Sequence, residues 1–158
     1  MKNIIIGVAS ALFGAGVGAK VAQIMMQKKV DEKKALSDKH LSLFKMMNQW
    51  VRVKQEGKKL ETYFEANNIS KIAIYGMNYA GETLVEELKG SKIQIAYGID
   101  KRAKNLFADF PIFSADEPLD KVDAIVVTPI TFFDQIEQEL SQKIDCNIIS
   151  LEDILYEL

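Results

Sequence analysis

Lys71-Ile72-Ala73-Ile74-Tyr75-Gly76-Met77-Asn78-Tyr79-Ala80-Gly81 joins a short apolar run to a glycine turn, and a helical pattern follows at once. The first five residues have the length and branched apolar content of a buried strand. Leu84, Val85 and Leu88 recur at three- and four-residue spacing, the stripe of an amphipathic helix, and Gly90 closes it. Ile93 to Ile99 predicts a second strand with Asp100 at its end. That places an acid about 20 residues past the turn, where dinucleotide folds hold a ribose-binding carboxylate. Strand, glycine turn, helix and acid-terminated strand together make the opening unit of a nucleotide-binding α/β domain.

The turn departs from the full fingerprint, because Gly-x-Gly-x-x-Gly becomes Gly76-x-Asn78-x-x-Gly81. The middle glycine lets a pyrophosphate approach the backbone closely. Asn tolerates left-handed angles, so the turn still forms, while its side chain partly fills the space above the helix N-terminus. Free N–H groups and the macrodipole still favour an anion there. The expectation is that amides of Met77, Asn78, Tyr79 and Ala80 face an open crevice that accepts a phosphate-bearing compound.

The rest of the α/β region follows the same logic. Lys101, Arg102 and Lys104 form a small basic cluster beside Asp100, either a phosphate attractor or a solvated loop. Phe110-Pro111-Ile112-Phe113 suits an edge strand, where proline is tolerated. Asp123-Ala124-Ile125-Val126-Val127-Thr128 is an unbroken run typical of a central parallel strand buried on both faces. Thr128-Pro129 then leads into a helix from Phe132 to Leu140, with Phe133, Ile136 and Leu140 inward. Asn147 to Leu151 predicts a fifth strand, and Leu151 to Leu158 a terminal helix. The strand order expected of such a dinucleotide-type unit is 3-2-1-4-5, with right-handed crossovers. The loop after Thr128 should therefore face the loop after Tyr75, at the carboxyl ends where such sheets bind ligands.

Ile4 to Met26 is apolar except for Ser10, Lys20 and Gln23, about the length of a bilayer-spanning helix. Lys20 is placed to snorkel toward headgroups. Gly7, Ala11, Ala15 and Ala19, and again Ser10, Gly14, Gly18 and Ala22, make a flat small-residue face suited to helix pairing. Lys2 precedes the span, whereas Lys28, Lys29, Lys33 and Lys34 follow it, so the globular part is expected on the cytoplasmic side. The rival reading is a secretory signal cleaved after Val17-Gly18-Ala19. Leu36, His40, Leu43, Met47 and Trp50, with Leu41, Phe44 and Val51 beside them, give the next helix a broad apolar face that must bury against the α/β domain or a second copy. After Gly57, Leu60, Tyr63 and Phe64 mark a short helix. The division expected is a transmembrane helix over 4–26, a helical connector over 27–68 and an α/β domain over 69–158.

Composition narrows the function classes. With 158 residues there is room for one α/β domain plus the extension, and a formal charge of -2 argues against nucleic acid as partner. Cys146 and His40 are each the single residue of their kind, which excludes an internal disulfide and leaves no His-Cys metal cluster. Cys146 reads as a small core residue. No catalytic residue is assigned. Tyr97-x-x-x-Lys101 has the spacing of a dehydrogenase pair, but that spacing needs a helix, and here it crosses from strand to loop.

From about Leu43 onward the chain resembles a family of small bacterial proteins and domains linked to surface polysaccharide synthesis. Trp50, Lys54-Gln55-Glu56-Gly57-Lys58, Ile72 to Met77, Tyr97-Gly98-Ile99-Asp100, Ala124 to Pro129 and Asp145-Cys146 with Ile148 to Asp153 carry the resemblance. It implies a half Rossmann domain, a Rossmann-like five-stranded parallel sheet, similar to the nucleotide-sugar-binding domain at the front of bacterial sugar acetyltransferases. By that resemblance Gly76, Met77, Asn78, Gly81, Asp100 and Thr128 line the ligand cleft; Tyr79, Lys101 and Pro129 adjoin them. NAD and a nucleotide sugar are the ligands it suggests. Three readings follow: a membrane-anchored nucleotide or nucleotide-sugar binding module, a small NAD-dependent nucleotide-sugar oxidoreductase or epimerase, and a structural partner protein with a vestigial cleft. A homodimer through the Gly/Ala face or the connector helix is compatible with each.

Overall fold

Five apolar runs become five parallel strands: β1 (Lys71–Tyr75), β2 (Gln94–Ile99), β3 (Ile112–Phe113), β4 (Ala124–Val127) and β5 (Asn147–Ser150). They lie in the order β3-β2-β1-β4-β5, as expected of a dinucleotide-type unit. The computed structural model describes the backbone of residues 2–158 and the side chains of Lys20 and residues 22–158. The helices are α1 (Lys2–Gln55), α2 (Leu60–Ala66), α3 (Tyr79–Leu88), α4 (Phe133–Leu140) and α5 (Leu151–Glu157). Pro111 falls just outside β3, a two-residue edge strand.

Side chains along β1 alternate between two cores, as the pleat demands. Ile72 and Ile74 meet Leu84 and Leu88 of α3, Leu60 and Phe64 of α2, and Leu151, Ile154 and Leu155 of α5. Ala73 and Tyr75 point the other way, into a cluster with Tyr97, Ile99, Ile125, Val127 and the α4 residues Ile136 and Leu140. All four residues of β4 are buried, which explains its unbroken apolar run. At the amino ends of the strands, the Asp123 carboxylate accepts from Ser70 N at 2.9 Å, Ser70 Oγ at 3.0 Å and Lys71 N at 2.8 Å, pinning β1 to β4. Those N–H donors hold the Asp123 carboxyl below its ordinary pKa.

The chain divides into two compact units, Met1–Leu41 and Ser42–Leu158. The α/β unit thus takes in more than 69–158. Met46, Trp50 and Val53 of α1 are buried in its first core, and Gln49 Nε2 donates to Leu155 O at 3.0 Å. Complete burial of one such side chain is worth about 1.5–3 kcal/mol, so α1 from Ser42 onward belongs to the fold it packs on. The broad apolar face expected on this helix is divided. Met46 and Val53 join Trp50 inside, whereas Phe44, Met47 and Val51 remain exposed, and so does His40 in the first unit. One flat core covers only one stripe of a helix this apolar.

The first unit is helical along its described backbone. Among the described residues no helix is long and apolar enough to cross a membrane. The side chains of 4–19 and Val21, most of the expected span, lie outside the described residues, as do Gly7, Ala11, Ala15 and most of the small-residue face.

Candidate functional site

β1 delivers the chain to Gly76, whose φ of +90° turns it toward α3. A Cβ there would stand 2.7 Å from the Pro129 ring and 2.8 Å from Thr128 Oγ1. Gly76 is therefore required both by conformation and by space. At Gly81 a Cβ would come within 2.3 Å of Gly76 O, so the start of α3 presses directly on the turn. The first and third glycines of the fingerprint thus perform the packing duties the pattern assigns them.

The middle position is different. Asn78 has extended angles and caps α3, its Oδ1 accepting from Ala80 N at 2.9 Å and Gly81 N at 3.2 Å. Asp100 reaches back from the end of β2, and its Oδ2 accepts from Met77 N at 2.9 Å. Gly76 N donates to Ile99 O, and Glu82 N to Asn78 O. The expectation of open amides is thus corrected at Met77 and Ala80, whose N–H groups are taken by side chains of the same chain. At Ala80 the reason is the length of the Asn78 side chain, which lets a carboxamide oxygen sit where a bound phosphate oxygen would; at Met77 it is the Asp100 carboxylate reaching back from β2.

Both oxygens of Asp100 accept hydrogen bonds. Oδ1 accepts from Arg102 N at 2.8 Å and from Arg102 Nε at 3.4 Å, and the side chain is 10% exposed. Thr128 is completely buried and its Oγ1 lies 2.7 Å from Gly76 O, 3.2 Å from Tyr75 O and 3.3 Å from Asn78 Oδ1. The loops after β1 and β4 meet as the sequence required. Met77 folds inward, with Gly98 of β2 beneath it: a Cβ on Gly98 would lie 3.2 Å from the Met77 thioether. Pro129 is half-buried over Gly76, while Tyr79 is 90% exposed and Lys101 is exposed in the turn after β2. Gly76, Met77, Asn78, Gly81, Asp100, Thr128 and Pro129 therefore form one hydrogen-bonded and packed cluster, with Tyr79 and Lys101 outside it. Arg102, read only as part of a basic cluster, is the clamp on Asp100; its signal was its place two residues after the acid, the spacing of a local side-chain turn.

Tyr97 and Lys101 do not converge. The Tyr97 phenol is buried and donates to Asp120 O at 2.6 Å, and burial pushes its pKa up to about 12, which suits a structural donor. Cys146 is half-buried against the second core, and burial raises its thiol as well. A polar groove of about 480 Å³ lies elsewhere, between Tyr63 and Asn67 of the α2 region, Glu137 of α4 and the start of β5. Among the described residues no group of acids, His and Cys is placed to hold a metal.

Compared with family models, curated proteins and solved structures, the chain matches none.

Proposed function

We propose that this protein is a membrane-tethered α/β docking module, accessory to surface polysaccharide synthesis, whose glycine turn serves its own fold. One observation carries the reading: the N–H groups of Met77, Ala80 and Gly81 are satisfied by Asp100 and Asn78. A phosphate entering there would have to displace two side chains and approach the Asp100 charge, which opposes an anion. The tether is supported by the apolar run 4–26 and by Ile24, Met25 and Met26, three successive residues that are each more than 60% exposed. Three successive positions span about 200° of a helix, and an exposed apolar face that broad needs lipid or protein about it. The place beside polysaccharide machinery comes from the resemblance of the motifs.

The nucleotide-binding reading retains one specific support. The strand order reverses between β1 and β4, the point where open α/β sheets bind ligands, and Gly76 and Gly81 keep the fingerprint geometry. Thermal unfolding of the full chain with NAD, UDP-sugars and CoA separates the two. A ligand at 100 times its dissociation constant adds about 2.7 kcal/mol of stability. The docking reading predicts no shift with any of them; a saturable rise with one restores the nucleotide reading.

A further inference from the structure

The sheet has two edges, and only one is closed against further pairing. β3 is two residues long, and Pro111, which has no N–H to offer, stands at its entry. β5 is the other edge: Asn147-Ile148-Ile149-Ser150 holds neither proline nor charge, and its register with β4 runs without a shift. Among the described residues no backbone hydrogen bond beyond the sheet's own reaches Asn147, Ile148 or Ile149. Alternate residues of an edge strand turn N–H and C=O outward, so β5 presents a row of main-chain donors and acceptors. Only an extended backbone matches that row.

The polar groove of about 480 Å³ follows this edge, lined by β5 itself, by Tyr63 on one side of the sheet and by Glu137 and Ser141 on the other. Charge narrows the occupant. α4 carries Asp134, Glu137 and Glu139, α5 carries Glu152, Asp153 and Glu157, and α2 carries Glu61 and Glu65; none of the three helices has a base. Glu139 is paired with Lys143 and Glu65 with Lys92, but among the described residues Glu137, Asp153 and Glu157 make no salt bridge. Glu137 is the one charge lining the groove. Asp153 and Glu157 act on the same place: burial first, and then the charges of Glu157 and Asp153, hold the Tyr63 phenol above its ordinary pKa. A second copy does not suit this edge. Two β5 strands joined about a two-fold axis would set α4 against α4 and α5 against α5, acid against acid.

We propose that β5 takes an extended basic segment of a partner protein as a sixth strand. Main-chain hydrogen bonds to β5 supply the pairing, and lysine or arginine side chains on its two faces meet Glu137 on one side of the sheet and Asp153 and Glu157 on the other. The proposal rests on the docking reading and names its surface and the chemistry of its partner. A nucleotide response at the turn would overturn that reading, whereas a peptide response reads this edge alone.

The test titrates the full chain in detergent micelles with a capped octapeptide that carries two adjacent lysines among threonines and valines, followed by amide-resolved nuclear magnetic resonance. Saturable shifts should centre on Asn147, Ile148 and Ile149, with slower amide exchange along β5. The same peptide with glutamates in place of its lysines should not bind. N-methylation of two successive central amides, which spoils both edges of the peptide and keeps its charge, should abolish the shifts. Glu137→Lys with Asp153→Lys, both exposed, should leave melting unchanged and weaken binding about tenfold. Absence of shifts at β5 up to millimolar peptide overturns the proposal. So does binding that survives N-methylation, which is charge attraction without strand pairing. A concentration-dependent dimer whose contact shifts fall on β5 overturns it too, because a second copy then holds the edge.

Discussion

Replacing Asn78 tests whether the turn is closed by its own side chain. The carboxamide oxygen accepts from Ala80 N at 2.9 Å and Gly81 N at 3.2 Å, the only side-chain cap on α3. Asn78→Ala removes both contacts and should cost about 1 kcal/mol, the usual value of an N-cap. For a domain larger than 100 residues, 1 kcal/mol lowers Tm by about 3–5 °C. Asn78→Gly completes the Gly-x-Gly-x-x-Gly pattern and should cost only a few tenths, because water reaches the freed amides. The decisive comparison is with inorganic pyrophosphate in a thermal-shift assay. Wild type should not respond. Asn78→Gly combined with Asp100→Ala uncovers the amides of Met77, Ala80 and Gly81 and removes the opposing charge, so its Tm should rise with pyrophosphate. If wild type responds as strongly as the double variant, or if Asn78→Ala melts like wild type, the carboxamide is not closing the turn.

Gly81→Ala places a Cβ within 2.3 Å of Gly76 O and should cost about 1–3 kcal/mol or more, read by urea unfolding. Trp50→Ala empties a buried site between α1 and the sheet and should cost about 3–5 kcal/mol in the same assay. Tyr97 has a folded pKa raised to about 12 against an ordinary 10.0, so its neutral form is the one the fold favours. Its contribution is complete below about pH 10 and is lost as pH rises toward 12; Tyr97→Phe should flatten the stability profile over that window. Asp123 has the opposite sign: its folded pKa lies below 3.8, so its contribution is present above that value and is lost as pH falls below it. Asp123→Asn should remove that acid-side dependence from the unfolding midpoint.

The sheet was legible because burial on both faces demands unbroken apolar strands, and Ala124 to Val127 and Lys71 to Tyr75 leave no other reading. Strand order followed from reading the glycine turn and acid-terminated strand as a dinucleotide-type unit, since handedness by itself also permits 2-1-3-4-5. The turn was legible as a turn: Gly76 and Gly81 stand where the pattern put them, and Asn78 fills space above the helix as expected. Which amides its oxygen takes depends on extended angles at Asn78 that spacing does not encode. Asp100 was placed correctly at the end of β2, yet its choice between a ribose and Met77 N is tertiary, set by how closely β2 lies beside β1. The stripe on α1 was visible, but periodicity shows only that a helix has apolar faces. Burial of Met46, Trp50 and Val53, rather than Met47, Phe44 and Val51, was decided by the surface of the sheet and its neighbouring helices.

The central claim is that the Met77, Ala80 and Gly81 amides are bonded within the chain, and the most direct measurement is an amide-resolved nuclear magnetic resonance titration of the full chain with pyrophosphate and with UDP. The account predicts that Met77, Ala80 and Gly81 exchange slowly with solvent and keep their shifts throughout. Fast exchange at those three amides, or saturable shifts centred on them, would contradict it.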